Sequence, residues 1–116
     1  MPSFVAVGAL SAALAVALGA FGAHALKHLP AERLAWWDTA SRYHLFIALA
    51  TLLFGVIRLT RPGGSLPAVL LCVGTLLFSG SLYAMALGAP RWFGAITPLG
   101  GLSMIAGLVA MAFSAR

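Results

Sequence analysis

Charge is what this chain has least of. Only two of its 116 residues are acidic, Glu32 and Asp38, and with seven lysines and arginines the charged fraction is 8%. A water-soluble domain carries about 25% charged residues, because its surface must be solvated. Nothing here could cover such a domain. Cysteine is almost absent as well: Cys72 stands alone in an apolar run, so an intrachain disulfide framework is excluded. No acidic residue lies within a long apolar run, since both fall in one connection.

What is abundant is apolar surface: 62% of residues are hydrophobic and the mean hydropathy is +1.04. The formal charge of +5 could suggest nucleic acid. Its carriers, however, are scattered singly at Lys27, Arg33, Arg42, Arg58, Arg61, Arg91 and Arg116, where apolar runs end. They read as anchors facing anionic headgroups, so membrane lipids are the expected partners and nucleic acid is not.

The first run ends in "GAFGAHALKHL", where Ala23-His24-Ala25 could pass for a cleavage site. A secretory signal has a basic leader and an apolar core of about 7–15 residues. No lysine or arginine precedes Lys27, and the run covers roughly twenty residues, enough to cross a ~30 Å hydrocarbon core. A retained span is expected.

Breakers divide the chain into four such runs, at about residues 4–24, 40–58, 67–87 and 98–114. Pro2 and Ser3 suit the start of the first, Ser3 as its cap. "RLTRPGGSLP" supplies a turn, Pro67 fits the first turn of span three, and Thr97 is a candidate cap for span four. The expected fold is an all-α membrane protein, a bundle of four transmembrane helices forming one integral-membrane domain over residues 1–116. Between spans one and two, "LPAERLAWWDTASRYH" predicts a short interfacial helical segment. In it Asp38 and Arg42 can pair at i, i+4, and Leu34 and Trp37 share a face.

Helices in lipid associate by close packing of small residues. Gly19 and Ala23 in span one, Gly80, Ala84 and Gly88 in span three, and Gly107 in span four are the candidates. Span two, "LFIALATLLFGVI", is bulkier and is expected to show more of its surface to lipid or to a partner. Lys27, Trp36, Trp37, Arg91 and Trp92 read as interfacial anchors. With the termini outside, the basic residues divide four inside against three outside, so charge selects no orientation.

Four strings, "GAFGAH" (19–24), "RYH" (42–44), "LFSGSLY" (77–83) and "ITPLGG" (96–101), closely resemble those of the YgdD-like family of small inner-membrane proteins. That family is a domain of unknown function, DUF 423, related to eukaryotic transmembrane protein 256. The resemblance spans nearly the whole chain and implies a multi-pass protein of the bacterial inner membrane with four helices, without implying an activity. Relatives often carry a histidine three residues after the position of His44, where this chain has Ile47.

Antiparallel tracing of the spans brings the polar residues of these strings toward one membrane face. The expected cluster is His24, Arg42, Tyr43, His44, Tyr83 and Thr97, serving either as a binding site or as a hydrogen-bonded clasp that satisfies polar groups in lipid. At least one of Ser79 and Ser81 is expected to bond its own i−4 carbonyl. His24 and His28 share a face only if the first helix runs on; two imidazoles are an incomplete metal site, and no cofactor is expected.

Three function classes follow. The first is a non-catalytic accessory, assembly, or lipid- or partner-binding protein, as a homo-oligomer or with a further membrane protein. The second is a small oligomeric transporter or pore, weakened by the lack of an embedded carboxylate. The third is a membrane enzyme or a metal- or haem-binding protein built on His24, Arg42 and His44.

Overall fold

The computed structural model describes residues 3–114; Pro2 and Arg116 lie outside them. Four long helices follow one another: α1 (Phe4–Ala25), α2 (Ala31–Thr60), α3 (Leu66–Ala86) and α4 (Thr97–Ser114), with a 3-10 helix at Arg91–Ala95 between the last two. All four are long and apolar enough to cross a membrane, the fourth counted together with the 3-10 helix that leads into it.

The ends follow from local chemistry. Ser3 caps α1, its hydroxyl accepting from the Ala6 amide at 3.3 Å, and Pro67 sits in the first turn of α3. Thr97 does not act as a cap. The 3-10 helix feeds directly into α4, Gly100 N bonding Ile96 O at 3.2 Å, so the helix start is served by main chain and the threonine hydroxyl is available elsewhere. Arg58 closes α2: it donates to the carbonyls of Gly64 at 3.0 Å and Arg61 at 3.1 Å, with its guanidinium 4.5 Å above the Phe54 ring. Gly88 alone among the described residues has a positive φ, 114°, and turns the chain out of α3.

The helical segment expected between spans one and two runs straight into the second span and forms the first turns of α2. At 30 residues this helix is about 45 Å long, against a hydrocarbon core of about 30 Å. All of its charged residues except Arg58 fall between Glu32 and Arg42, where the excess length lies.

α1 packs on α2, α2 on α3 and α3 on α4, in chain order. Glycine sets the distance within the outer pairs. A Cβ added to Gly8 would collide with the main chain of Leu52, and one added to Gly55 with that of Val5, so α1 and α2 meet nearly backbone to backbone. In the other pair a Cβ on Gly100 would lie 2.8 Å from Phe78 Cα, and one on Gly74 2.9 Å from Gly100 O. Such approach is how helices gain contact where no hydrophobic drive exists.

Among the expected packing positions, Gly107 meets Leu71 closely and Gly19 faces Ser41. Ala23 is exposed and Ala84 half-buried. Gly80 faces open space and Gly88 serves the turn. Span two is the correction of most consequence. Phe46, Leu49, Leu53 and Val56 point outward, but Ile47 and Phe54 are buried together with Ala40, Ser41, Ala48 and Gly55, and the small residues let α1 and α3 pack on α2 from two sides.

Two side-chain clusters complete the core. Ile47, Leu71 and Met104 join α2, α3 and α4; Leu26, Trp37 and Ala86 close the end where α1 runs into α2. Trp37, expected at an interface, is buried there.

Gly100→Ala is expected to lower the stability of the detergent-solubilised protein by about 1–3 kcal/mol, as overpacking does. Gly80→Ala, where a Cβ meets nothing within 4 Å, should leave it unchanged or slightly raised. Thermal unfolding followed by circular dichroism reads both.

Candidate functional site in the α1–α3 groove

α1 is almost wholly apolar between its cap and His24, and Ser11 is its single polar side chain in that interval. A hydroxyl in such a helix bonds either its own i−4 carbonyl or a partner on another helix. Its Oγ lies 3.0 Å from His44 Nε2 on α2, and His44 Nδ1 lies 2.9 Å from the Tyr83 hydroxyl on α3. One imidazole thus ties three helices. His44 is 4% exposed, so the relay is part of the core.

The surroundings hold it in place. The Trp37 ring stands edge-on to Tyr83 at 4.7 Å between centroids, and its Nε1 donates to the Leu18 carbonyl at 2.7 Å. Ser79 donates to the Ala40 carbonyl at 2.8 Å, binding α3 to α2 one turn before His44. Ser81 bonds the i−3 carbonyl of Phe78 at 2.9 Å and meets Thr97 Oγ1 at 2.6 Å. The expected i−4 bond is therefore made by neither serine, because both hydroxyls have interhelical partners. Among the described residues no buried side-chain nitrogen or oxygen lacks a partner.

Beside the relay, α1 and α3 flank a cavity of about 510 Å³ floored by α2. His44, Tyr83 and Ser11 contribute to its polar wall with Thr51, Thr75 and Ser79, and among the described residues no charged one lines it. Leu10, Leu14 and Leu76 line it too, and they are 72%, 53% and 73% exposed, so the cavity is a groove open along the sides of two spans. Its size falls in the ~300–1,000 Å³ range of small-molecule sites.

Of the six polar residues expected together, His44 and Tyr83 meet directly, and Thr97 meets Ser81 on the same helix as Tyr83. The others lie apart. His24 is exposed in the last turn of α1, which ends at Ala25, so His28 does not share its face. Arg42 pairs with Asp38 at 2.5 Å on the exposed side of α2. Tyr43 turns toward Phe78, 5.1 Å between ring centroids. Among the described residues no three His, Cys, Asp or Glu side chains could hold a metal ion together.

The anchor residues divide similarly. Lys27 and Trp92 are exposed, while Arg91 pairs with Glu32 at 2.6 Å and lies 5.5 Å above the Trp36 ring. This links the 3-10 helix to the start of α2.

The family model described as "Protein of unknown function (DUF423)" matches residues 18–101, which contain His44 and Tyr83 and most of the groove. The chain belongs to this family. The UPF0382 membrane protein SSP2132 of Staphylococcus saprophyticus is 43% identical over 109 residues, covering 92% of this chain and 91% of its own length. The UPF0382 inner membrane protein YgdD of Escherichia coli is 42% identical over 106 residues, covering 89% and 81%. The UPF0382 membrane protein YwdK of Bacillus subtilis is 41% identical, covering 90% and 89%. No solved structure matches. This DUF423 chain is thus an inner-membrane protein with four candidate spans.

In this DUF423 protein Ser11 lies ahead of the matched segment, and the sequence offered one signal for it: a lone hydroxyl in an apolar span. Tyr83→Phe and Ser11→Ala should each destabilise the protein by about 0.5–1.5 kcal/mol, the range of single hydrogen bonds between membrane helices. His44→Ala removes both bonds and leaves a cavity, and about 2–4 kcal/mol is expected in the same unfolding assay.

Proposed function

We propose that this DUF423 protein is a non-catalytic, lipid-binding protein of the inner membrane, and that its ligand lies in the groove between α1 and α3. The observation that carries the reading is the groove itself: a cavity of about 510 Å³ whose exposed leucine rim faces the acyl chains. In a bilayer the molecule next to such a rim is a lipid.

The reading as an enzyme has one feature behind it. Ser11, His44 and Tyr83 stand in the order nucleophile, base and orienting group, at 3.0 and 2.9 Å. Acyl transfer also needs donors aimed at the developing oxyanion. Thr51, Thr75 and Ser79, the other hydroxyls of the groove, all donate to main-chain carbonyls, and Tyr83 lies on the opposite edge of the imidazole from Ser11. Binding is the better account.

The test is a variant that fills the groove without disturbing the fold. Gly80 lines the groove and a Cβ there meets nothing within 4 Å, so Gly80→Leu adds bulk only to the cavity. Native mass spectrometry of the parent released from membrane vesicles should give a reproducible lipid adduct. Gly80→Leu should lose it while melting no lower than the parent. An adduct of unchanged occupancy in Gly80→Leu would sink the proposal.

A further inference from the structure

The relay in the groove has more hydrogens than bonds. Ser11, neutral His44 and Tyr83 bring three polar hydrogens, one each, and only two hydrogen bonds join them. If Nδ1 carries the imidazole proton, it donates to Tyr83, Nε2 accepts from Ser11, and the Tyr83 hydroxyl hydrogen is left over. If Nε2 carries it, the chain runs the other way and the Ser11 hydrogen is left over. Either tautomer leaves one hydroxyl hydrogen without an acceptor in the relay.

No other group among the described residues takes it. Thr51, Thr75 and Ser114 return their hydroxyls to the carbonyl four residues back, at 2.9, 3.0 and 3.0 Å, whereas Ser11 makes no such bond. Among the described residues neither Ser11 nor Tyr83 has a second hydrogen-bond partner, and both line the groove. A hydrogen-bond donor in so apolar a place is worth satisfying.

On the reading that the groove holds a lipid, we propose that its ligand is a neutral lipid whose carbonyl oxygen accepts this left-over hydrogen. The relay supplies a donor, so the ligand supplies an acceptor. Among the described residues no lysine or arginine lines the groove, so a carboxylate or phosphate held there would be unpaired, which disfavours an anionic head. The rest of the lining is largely aliphatic and takes the chain. Because the imidazole can carry its proton on either nitrogen, a carbonyl at the Tyr83 end and one at the Ser11 end are met equally well, each by reversing the relay. Two kinds of membrane molecule offer this chemistry: a neutral acyl ester and an isoprenoid quinone.

Cys72, the one cysteine in the chain, lines the same groove and reports on its occupancy. The full chain in dodecyl maltoside, a detergent without a carbonyl, is alkylated with N-ethylmaleimide in the presence of monoolein, decylubiquinone or hexadecane. Monoolein or decylubiquinone should slow the reaction about tenfold more than hexadecane, and the more effective of the two identifies the ester or the quinone. The infrared band of a carbon-13-labelled carbonyl in the bound compound should lie below its position in dodecane. In Ser11→Ala/Tyr83→Phe it should return toward that position. Equal protection by hexadecane, with the labelled band of the parent where dodecane puts it, overturns the carbonyl inference and leaves the groove reading standing. Protection by none of the three overturns both.

Discussion

Lipid offers a helix no reason to leave it. Apolar side chains are as well solvated by acyl chains as by one another, so spans associate only where close approach or a polar bond gives them something lipid cannot. Here the close approach is made twice, at Gly8 and Gly55 between α1 and α2, and at Gly74 and Gly100 between α3 and α4. The two hairpins built this way are then joined through α2 and α3, where polar bonds and the Ile47, Leu71 and Met104 cluster do the work. Everything described in the groove follows from that join, because α1 and α3 share α2 as a floor.

The polar bonds are concentrated rather than spread. Ser11, His44, Tyr83, Ser79 and the Trp37 indole lie in one region, and each crosses from one helix to another. An unsatisfied polar group in hydrocarbon is expensive, so such a network is also a specification of register: sliding one helix past its neighbour would strand several donors at once. Affinity and register therefore draw on the same few side chains.

Much of this could be read from composition and breakers alone, because a span is defined by its length and its lack of charge. The four helices lie where the apolar runs lie, and the Asp38–Arg42 pair follows from its spacing. The faces were harder to read. α2 looked bulky because Leu49, Leu53 and Val56 interrupt its small residues, yet these point outward while Ala40, Ala48 and Gly55 lie on its inner surface. Trp37 carried the composition of a headgroup anchor, and only the space left by Gly22 shows why it turns inward. The cluster was half visible: His44 and Tyr83 stood out as polar, but Ser11 is 33 residues from its partner, and a lone hydroxyl in a span does not say which helix it faces.

The two glycine crossings also bear on how the chain is assembled. Each joins helices adjacent in sequence, α1 to α2 across a five-residue connection and α3 to α4 through the 3-10 helix. Each crossing therefore needs only the two helices that it joins. The first hairpin can pack as it emerges, before α3 has been synthesised, and the second can do the same. α3 follows α2 after a connection just as short, residues 61–65, and the groove and its relay draw only on α1, α2 and α3, so both can be complete before α4 is in place.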